Sequence, residues 1–216
     1  MKNLPRLIIF ASGTKNGGGS GFGELVRNSK KGMLKANIIA VVSDHTNGGV
    51  RRIADEYNIP FVCFKGPWTE DMYKKIILDN KAEWIALSGW LKLVKGLAPK
   101  QTINIHPGPL PQFGGVGMYG RYVHEAVMEA FRKGKITESA VSMHFVTEKY
   151  DEGPIIFRKP VPIEEIDTPE TLAARVNKVE HKYQAFVTDL VVNKQIKWDG
   201  KDPKTLVVPK DYPFLN

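Results

Sequence analysis

The sequence of 216 residues predicts an α/β fold, in which helices flank a Rossmann-like, mostly parallel sheet that ends in an antiparallel pair of strands. Short apolar runs alternate along the chain with segments of helical periodicity, which is the pattern of βαβ units. The first runs are continuously apolar, as in strands that are buried on both faces of a parallel sheet. The last two strand segments are joined by a short loop, which suits antiparallel neighbours. We find no internal repeat and no linker, so one domain is expected.

The N-terminal half carries the strands that are predicted to be parallel. They are predicted at residues 7–11, 37–43, 61–64 and 84–89, with helices that begin near Glu24, Val50 and Thr69. Thr69 can cap its helix, and the acidic residues that follow it suit the positive end of the helix dipole. The one cysteine of the chain, Cys63, excludes an internal disulfide and is predicted to be buried in its strand.

The C-terminal half carries the remaining elements. Strands are predicted at residues 103–106, 140–146 and 155–161, with helices near residues 123–131 and from Asp167 onward. The final helix is predicted to start at Asp167-Thr168-Pro169-Glu170, with Asp167 as its cap, a proline in its first turn and an acid at its third position. The segment from Trp198 onward is polar and contains prolines, so it is predicted to be loosely attached.

Composition restricts the classes of partner. The net charge of +8 and the pI of about 9.4 favour anionic ligands. Lysine and arginine are dispersed and form no basic tract interleaved with aromatic residues, so no nucleic acid is expected as a partner. No apolar run approaches the roughly 20 residues of a membrane helix, and the N-terminus lacks the cleavage pattern of a signal peptide. We therefore expect a cytoplasmic protein that binds neither nucleic acid nor membrane.

A candidate catalytic pair lies in the strand at residues 103–106. Side chains alternate along a strand, so Asn104 and His106 point to the same side of it. Pro107 then stops the strand, which places both side chains at the carboxyl end of the sheet, where open α/β sheets bind ligands. An amide can stabilise an oxyanion and an imidazole can move a proton, so the pair suits acyl transfer. The alternative is that Asn104 caps the turn and His106 fills a polar niche.

Asp151, in the acidic loop at residues 147–154, is the best partner for His106. A carboxylate beside an imidazole raises its pKa and fixes its tautomer. The alternative is a solvated charge. The other histidines show no metal-ligand spacing, so no metal is expected, and the absence of a G-x-S-x-G motif argues against a serine hydrolase.

Residues 12–23 form a glycine-rich segment between the first strand and the first helix. The N–H groups of such a segment can bind an anion, with the helix dipole behind them. The spacing matches neither a P-loop nor a regular GxGxxG motif. The segment is therefore either a phosphate cradle or a flexible surface loop, which its glycines also permit. Asp44, after the second strand, is a minor candidate for binding a ribose hydroxyl.

Three stretches together resemble the folate-dependent formyltransferase superfamily. They are Ile103-Asn104-Ile105-His106-Pro107 with Leu110-Pro111, His144-Phe145-Val146-Thr147, and Asp151-Glu152-Gly153-Pro154-Ile155-Ile156. The similarity covers nearly the whole chain, and the segment that begins at Asp167, together with Glu180, resembles the purine branch. The resemblance implies a single formyltransferase domain over residues 1–216. Its expected parts are an N-terminal half with the phosphate loop (1–100), a catalytic and folate-binding half (101–195) and a tail (196–216).

The purine branch implies transfer of a formyl group from 10-formyltetrahydrofolate to the amine of glycinamide ribonucleotide, without a metal. By resemblance, Asn104 stabilises the oxyanion, His106 polarises the formyl group and assists proton movement, and Asp151 orients His106 or a water molecule. The residues expected to bind the acceptor are Gly13, Thr14, Lys15, Gly19, Ser20, Gly21 and Glu180, the last at its glycinamide end. Those expected to form the pterin pocket are Leu91, Lys92, Leu93, Val94, Val146, Thr147 and Glu148.

The first loop departs from the superfamily pattern. Residues 14–18 look inserted, Gly21 stands where Asn is expected, and Lys15 could supply a compensating cation. This departure leaves open an amino-sugar nucleotide as the formyl acceptor. A non-catalytic folate- or nucleotide-binding module is the alternative from another class, and the presence of Asn104, His106 and Asp151 argues against it. The expected assembly is a monomer or a homodimer.

Overall fold

The computed structural model describes residues 3–215, so residues 1, 2 and 216 of the expected domain lie outside it. Within the described residues, seven strands form one sheet. The strands are β1 (Arg6–Phe10), β2 (Asn37–Ser43), β3 (Phe61–Cys63), β4 (Trp84–Ser88), β5 (Thr102–His106), β6 (Glu138–Phe145) and β7 (Ile155–Pro162). The helices are α1 (Ser20–Lys30), α2 (Gly49–Tyr57), α3 (Glu70–Asp79), α4 (Arg121–Arg132) and α5 (Pro169–Val192).

The strand order is β3-β2-β1-β4-β5-β6-β7. The first five strands pair in parallel, whereas β6 is antiparallel to β5 and β7 is antiparallel to β6. The predicted fold class is therefore confirmed. From β1 the chain first adds β2 and β3 on one side and then β4 and β5 on the other, so the direction of strand addition reverses between β1 and β4. In open α/β sheets, ligands bind in the crevice at such a point, outside the carboxyl ends of the strands.

Helices cover both faces of the sheet, which explains the continuous apolar runs. In β1, Leu7 and Ile9 pack into a cluster that includes side chains of α1, α2, α4 and α5. Ile8 and Phe10 pack on the opposite face, against Tyr73 of α3. Both faces of the strand are buried. Polar residues at alternate positions would therefore place side chains without hydrogen-bond partners in one of the two cores.

Two helix starts differ from their predicted caps. Thr168 caps α5, one residue after the predicted cap Asp167, because its side chain accepts a hydrogen bond from the backbone N–H of Thr171 and the Thr171 side chain accepts one in return. Thr69 occupies the cap position of α3, but its side chain accepts no hydrogen bond there. Among the described residues, no helix is both long and apolar enough to cross a membrane.

Two predictions are wrong. Cys63 is exposed, because β3 is a short strand at the edge of the sheet with only one neighbouring strand. The C-terminal segment is anchored to the core and not loosely attached, since Trp198 is only 6% exposed and its ring lies 5.6 Å from that of Phe145. Farther on, Phe214 accepts a backbone hydrogen bond of 2.8 Å from Arg158. Aromatic side chains therefore hold a segment whose sequence is mostly polar.

Candidate active site

The end of β5 and the loop between β6 and β7 bring the three predicted catalytic side chains together. Asp151 Oδ1 lies 3.4 Å from Asn104 Nδ2, and Asp151 Oδ2 lies 3.7 Å from His106 Nδ1. His106 is buried, and Asn104 and Asp151 are largely so. The carboxamide, imidazole and carboxylate thus form one cluster at the carboxyl end of the sheet.

The loop that carries Asp151 depends on glycines. Asp151 itself adopts a left-handed conformation with a φ of 57°, and its Oδ2 accepts a 3.0 Å hydrogen bond from the Gly115 N–H. A Cβ at Gly114 would lie 2.9 Å from the Asp151 Cβ, and a Cβ at Gly153 would lie 1.7 Å from the carbonyl oxygen of Phe145. Residues without a side chain therefore let the loop press against β6 and deliver the carboxylate.

His144 is a fourth member of the cluster, and sequence reasoning gave it no catalytic role. It lies opposite Asn104 in the antiparallel register of β5 and β6. Its Nδ1 lies 2.7 Å from the Phe145 carbonyl oxygen and so carries a proton, while its Nε2 lies 3.1 Å from Asn104 Nδ2 and 3.3 Å from Asp151 Oδ1. The neutral ring accepts from Asn104, whereas a protonated ring would donate to Asp151. The strand register is the signal that could have found it.

Burial and hydrogen bonds set the charges of the cluster. Burial lowers the pKa of His106, although the neighbouring Asp151 opposes that shift. Burial alone would raise the pKa of Asp151, but contacts with His144, His106 and the Gly115 N–H together hold that pKa below its usual value. His106 Nε2 lies 2.7 Å from the Phe113 carbonyl oxygen and donates to it. At neutral pH the site therefore holds an anionic carboxylate beside a neutral imidazole whose Nδ1 can accept a proton.

A cavity of about 520 Å³ opens beside the cluster, at the carboxyl ends of β4 and β5. Asn104, His106 and Asp151 all line it. Of the residues expected to bind the two substrates, those that line the cavity are Gly19, Ser20, Gly21, Glu180, Leu91, Lys92, Leu93, Val94, Val146 and Thr147. Its size suits a small-molecule site, and its wall combines apolar surface with convergent polar groups.

Four of the expected binding residues do not line the cavity: Gly13, Thr14, Lys15 and Glu148. Gly13 adopts a left-handed φ of 65° and turns the chain out of β1. The Thr14 hydroxyl accepts a 2.9 Å hydrogen bond from the Gly17 N–H, so this residue closes the loop on itself. Lys15 and Glu148 are exposed. The inserted residues thus shape the loop, and the cavity wall begins at Gly19.

The N-terminus of α1 points hydrogen-bond donors at the cavity. Gly19 caps the helix in a left-handed conformation with a φ of 83° and provides no side-chain hydrogen bond. The first N–H groups of an α-helix have no intrahelical partner, and the helix dipole adds a partial positive charge there. Since Gly19, Ser20 and Gly21 line the cavity, this wall suits an anion.

A polar stripe on α5 forms another wall. The stripe is Asn177, Glu180, His181 and Gln184, which recur at helical spacing and all line the cavity. Asn177 Nδ2 lies 3.3 Å from Glu180 Oε2. Burial raises the pKa of Glu180 to about 7, and burial also lowers the pKa of His181. The resemblance identified only Glu180, although the spacing of the four polar residues could have found the others.

Lys92 links the cavity to Asp44. Lys92 Nζ lies 3.3 Å from Asp44 Oδ2 and 4.7 Å from the centre of the Trp68 ring. The Asp44 carboxylate therefore neutralises a cation of the cavity wall. Within residues 3–215, no three His, Cys, Asp or Glu side chains form a cluster that could hold a metal ion.

Comparisons with known proteins agree on one family. The formyl transferase family model matches residues 5–188. The chloroplastic phosphoribosylglycinamide formyltransferase of Arabidopsis thaliana is 32% identical over 223 residues, which cover 96% of this chain and 72% of that protein. The phosphoribosylglycinamide formyltransferase of Bacillus subtilis is 32% identical over 194 residues, which cover 85% of this chain and 93% of that protein. The crystal structure of phosphoribosylglycinamide formyltransferase from Brucella melitensis is 33% identical, with a TM-score of 0.74 over 88% of this chain and 96% of that one.

Proposed function

The chain belongs to the formyl transferase family, and on that premise we propose the reaction that it catalyses. It transfers the formyl group of 10-formyltetrahydrofolate to the primary amine of glycinamide ribonucleotide, a step of purine biosynthesis. The observation that carries the proposal is the cluster of Asn104, His106 and Asp151 on the wall of a cavity that also contains the N-terminus of α1. One end of that cavity suits acyl chemistry and another suits a phosphate.

Asn104 stabilises the charge that develops on the formyl oxygen when the amine attacks the formyl carbon. Its Nδ2 makes hydrogen bonds of 3.1 Å with His144 Nε2 and 3.4 Å with Asp151 Oδ1. The longer of the two is the weaker, so this N–H turns from Asp151 to the oxyanion. His144 keeps the carboxamide in place meanwhile. One side-chain amide that donates to a developing oxyanion is worth about 2.7–4 kcal/mol in catalysis.

His106 moves the proton that the reaction displaces. The amine loses a proton as its bond to the formyl carbon forms, and N10 of the folate gains one as its bond to that carbon breaks. His106 is neutral and accepts the proton at Nδ1, because its Nε2–H is already donated to the Phe113 carbonyl. Asp151, 3.7 Å away, stabilises the imidazolium until the proton passes to N10.

The two substrates use different walls of the cavity. The first turn of α1 binds the phosphate of the acceptor, and the carboxylate of Glu180 holds its glycinamide end. The pterin lies against the chain that leaves β4, which contributes Leu91 and Val94, and against Val146 after β6. Neither Lys15 nor Glu148 is assigned a contact, since both are exposed and lie outside the cavity wall.

The alternatives have less support. An amino-sugar nucleotide as the acceptor is not favoured, because the relatives that are 32% identical over most of the chain are named phosphoribosylglycinamide formyltransferases. A binding module without activity would not require a carboxylate that lies within 3.7 Å of both a carboxamide and an imidazole.

A formyl transfer assay tests the proposal. The absorbance change on loss of the formyl group from 10-formyltetrahydrofolate is followed with glycinamide ribonucleotide, and separately with an amino-sugar nucleotide. Asn104→Ala and His106→Ala should each lower turnover by about 100-fold or more, since each removes transition-state stabilisation. His45→Ala is the control, because His45 is partly buried but lies outside the cavity wall.

Each outcome has a clear meaning. Turnover with glycinamide ribonucleotide that depends on Asn104 and His106 supports the proposal. Turnover with the amino-sugar nucleotide alone would replace the acceptor. A wild-type protein that binds the folate yet transfers its formyl group to neither acceptor would contradict the enzymatic function.

A further inference from the structure

Gly21, the second residue of α1, lies against two buried polar side chains. A Cβ at Gly21 would lie 2.5 Å from Ser88 Oγ and 3.0 Å from Gln184 Oε1. Ser88 is 7% exposed and Gln184 is 2% exposed, yet both line the cavity together with Gly21. The space that a side chain at position 21 would occupy is therefore filled by the Ser88 hydroxyl and by the amide oxygen of Gln184 from α5.

The amide of Gln184 is held at one end only. The Ser88 hydroxyl donates to Gln184 Oε1 at 3.4 Å, which fixes the oxygen toward the end of β4. Within residues 3–215, no protein acceptor makes a hydrogen bond with Gln184 Nε2. Nε2 is not among the fully buried side-chain atoms that lack a hydrogen bond, and Gln184 lines the cavity. The Nε2 donor is therefore open to the cavity, where an atom of a ligand can accept its hydrogen bond.

We infer that Gln184 binds the phosphate of the formyl acceptor, with its Nε2 donating to a phosphate oxygen held at the first turn of α1. The inference rests on the proposed function, because it concerns the acceptor of that reaction. A phosphate offers more acceptor lone pairs than the few N–H groups of one helix turn can satisfy. Gln184 supplies a neutral donor on the cavity wall that also contains the first turn of α1, so it adds a hydrogen bond without burying another charge.

Gly21 belongs to the same inferred phosphate site as Gln184. Its backbone N–H belongs to the first turn of α1, and the lack of a side chain leaves room for the Gln184 amide. Any larger residue at this position must move the Ser88 hydroxyl, which lies 2.5 Å from a Cβ, and would press on Gln184 Oε1 at 3.0 Å. Gly21 and Gln184 therefore act as a pair in which one residue makes space and the other provides the donor.

Gln184→Met tests the donor, because methionine has nearly the same length and no N–H. A hydrogen bond to a charged group corresponds to roughly a tenfold to hundredfold change in affinity. The KM for glycinamide ribonucleotide should rise by that factor, and the inhibition constant of inorganic phosphate should rise with it. The kcat and the KM for 10-formyltetrahydrofolate should stay within about twofold. Gln184→Glu, which replaces the donor by a carboxylate, should raise the KM at least as much.

Gly21→Ala tests whether phosphate binding requires the space beside Gly21. Gly23→Ala is its matched control on the same helix. A Cβ at Gly23 meets the Arg27 guanidinium at 3.3 Å, a group at the end of a flexible side chain, and Gly23 does not line the cavity. Gly21→Ala should raise the KM for the acceptor as Gln184→Met does, whereas Gly23→Ala should not. The double variant Gly21→Ala/Gln184→Met should be no worse than the poorer single variant, because both changes remove one contact.

The outcomes separate this inference from the function on which it rests. A wild-type protein without turnover of glycinamide ribonucleotide contradicts the proposed function. An active wild type whose KM and phosphate inhibition are unchanged in Gln184→Met overturns the inference alone, as does a rise in KM with unchanged phosphate inhibition. Thermal melts are recorded for every variant. If Gln184→Met does not fold, the contrast between Gly21→Ala and Gly23→Ala decides.

Discussion

Replacing Glu180 by Gln tests whether a carboxyl group on α5 titrates near neutral pH. Burial raises its pKa from 4.5 to about 7, so the folded chain keeps a proton that the unfolded chain releases at lower pH. Because the folded state binds more protons between these two values, the stability of the protein without ligand falls as the pH rises from 4.5 to about 7. At roughly 1.4 kcal/mol for each pKa unit, the loss reaches about 3 kcal/mol above pH 7. Glutamine carries no charge, so the variant should not lose this amount.

The affinity for the acceptor should also depend on the ionisation of Glu180. This affinity should rise with pH over the range in which the stability falls. Only the carboxylate form of Glu180 attracts the ammonium form of the acceptor amine. With a pKa of about 7, the ionised fraction rises from about one tenth at pH 6 to about nine tenths at pH 8. The affinity of the wild type for the acceptor should therefore increase about tenfold more over this range than that of Glu180→Gln.

Urea unfolding of the ligand-free protein measures the first effect, with the wild type and Glu180→Gln compared at several values between pH 5 and pH 8. The KM for the acceptor over the same range measures the second. Glu148→Gln removes one exposed carboxylate near the cavity and serves as the control. If the stability difference between the wild type and Glu180→Gln were the same at pH 5 and at pH 8, the reasoning about this carboxyl group would be refuted.

Three other changes test other parts of the structure. Asp151→Asn should lower kcat by about 10²- to 10⁴-fold in the transfer assay with little change in the urea midpoint; a loss below tenfold would contradict its role. Gly153→Ala places a Cβ 1.7 Å from the Phe145 carbonyl oxygen, so both the midpoint and kcat should fall, and a variant with wild-type values would disprove the packing. Trp198→Ala should lower the free energy of unfolding by about 3–5 kcal/mol, whereas a loosely attached tail would give almost no change.

Local sequence patterns were sufficient to place Asn104 and His106 together at the end of β5. The alternation of β5 places Asn104 and His106 on one side, and Pro107 marks the end of the strand. Neither deduction requires knowledge of what packs nearby. The position of the glycine-rich loop between β1 and α1 could likewise be predicted from its own residues, whereas its role as an anion site stays a prediction.

Contacts between distant segments could not be predicted in the same way. His144 reaches Asn104 only through the register of β5 and β6, which the sequence of neither strand specifies alone. Cys63 lies in an apolar segment and yet is exposed, because the strand order places β3 at the edge. Trp198 follows a polar stretch and is buried by tertiary packing. In each case the deciding quantity is the position of a neighbour far away in the sequence.

The polar stripe of α5 indicates which protonation states the ligand-free site adopts. Burial favours the protonated form of Glu180 and, by lowering the pKa of His181, the neutral form of that ring. The ligand-free protein thus avoids buried charge by holding one proton and releasing another. An acceptor amine that pairs with Glu180 should favour its carboxylate, so binding at pH 7 should release about half a proton from this group. Calorimetry in buffers of different ionisation enthalpy measures that release. The wild type should release this proton and Glu180→Gln should not, and equal release from both would show that Glu180 does not meet the amine.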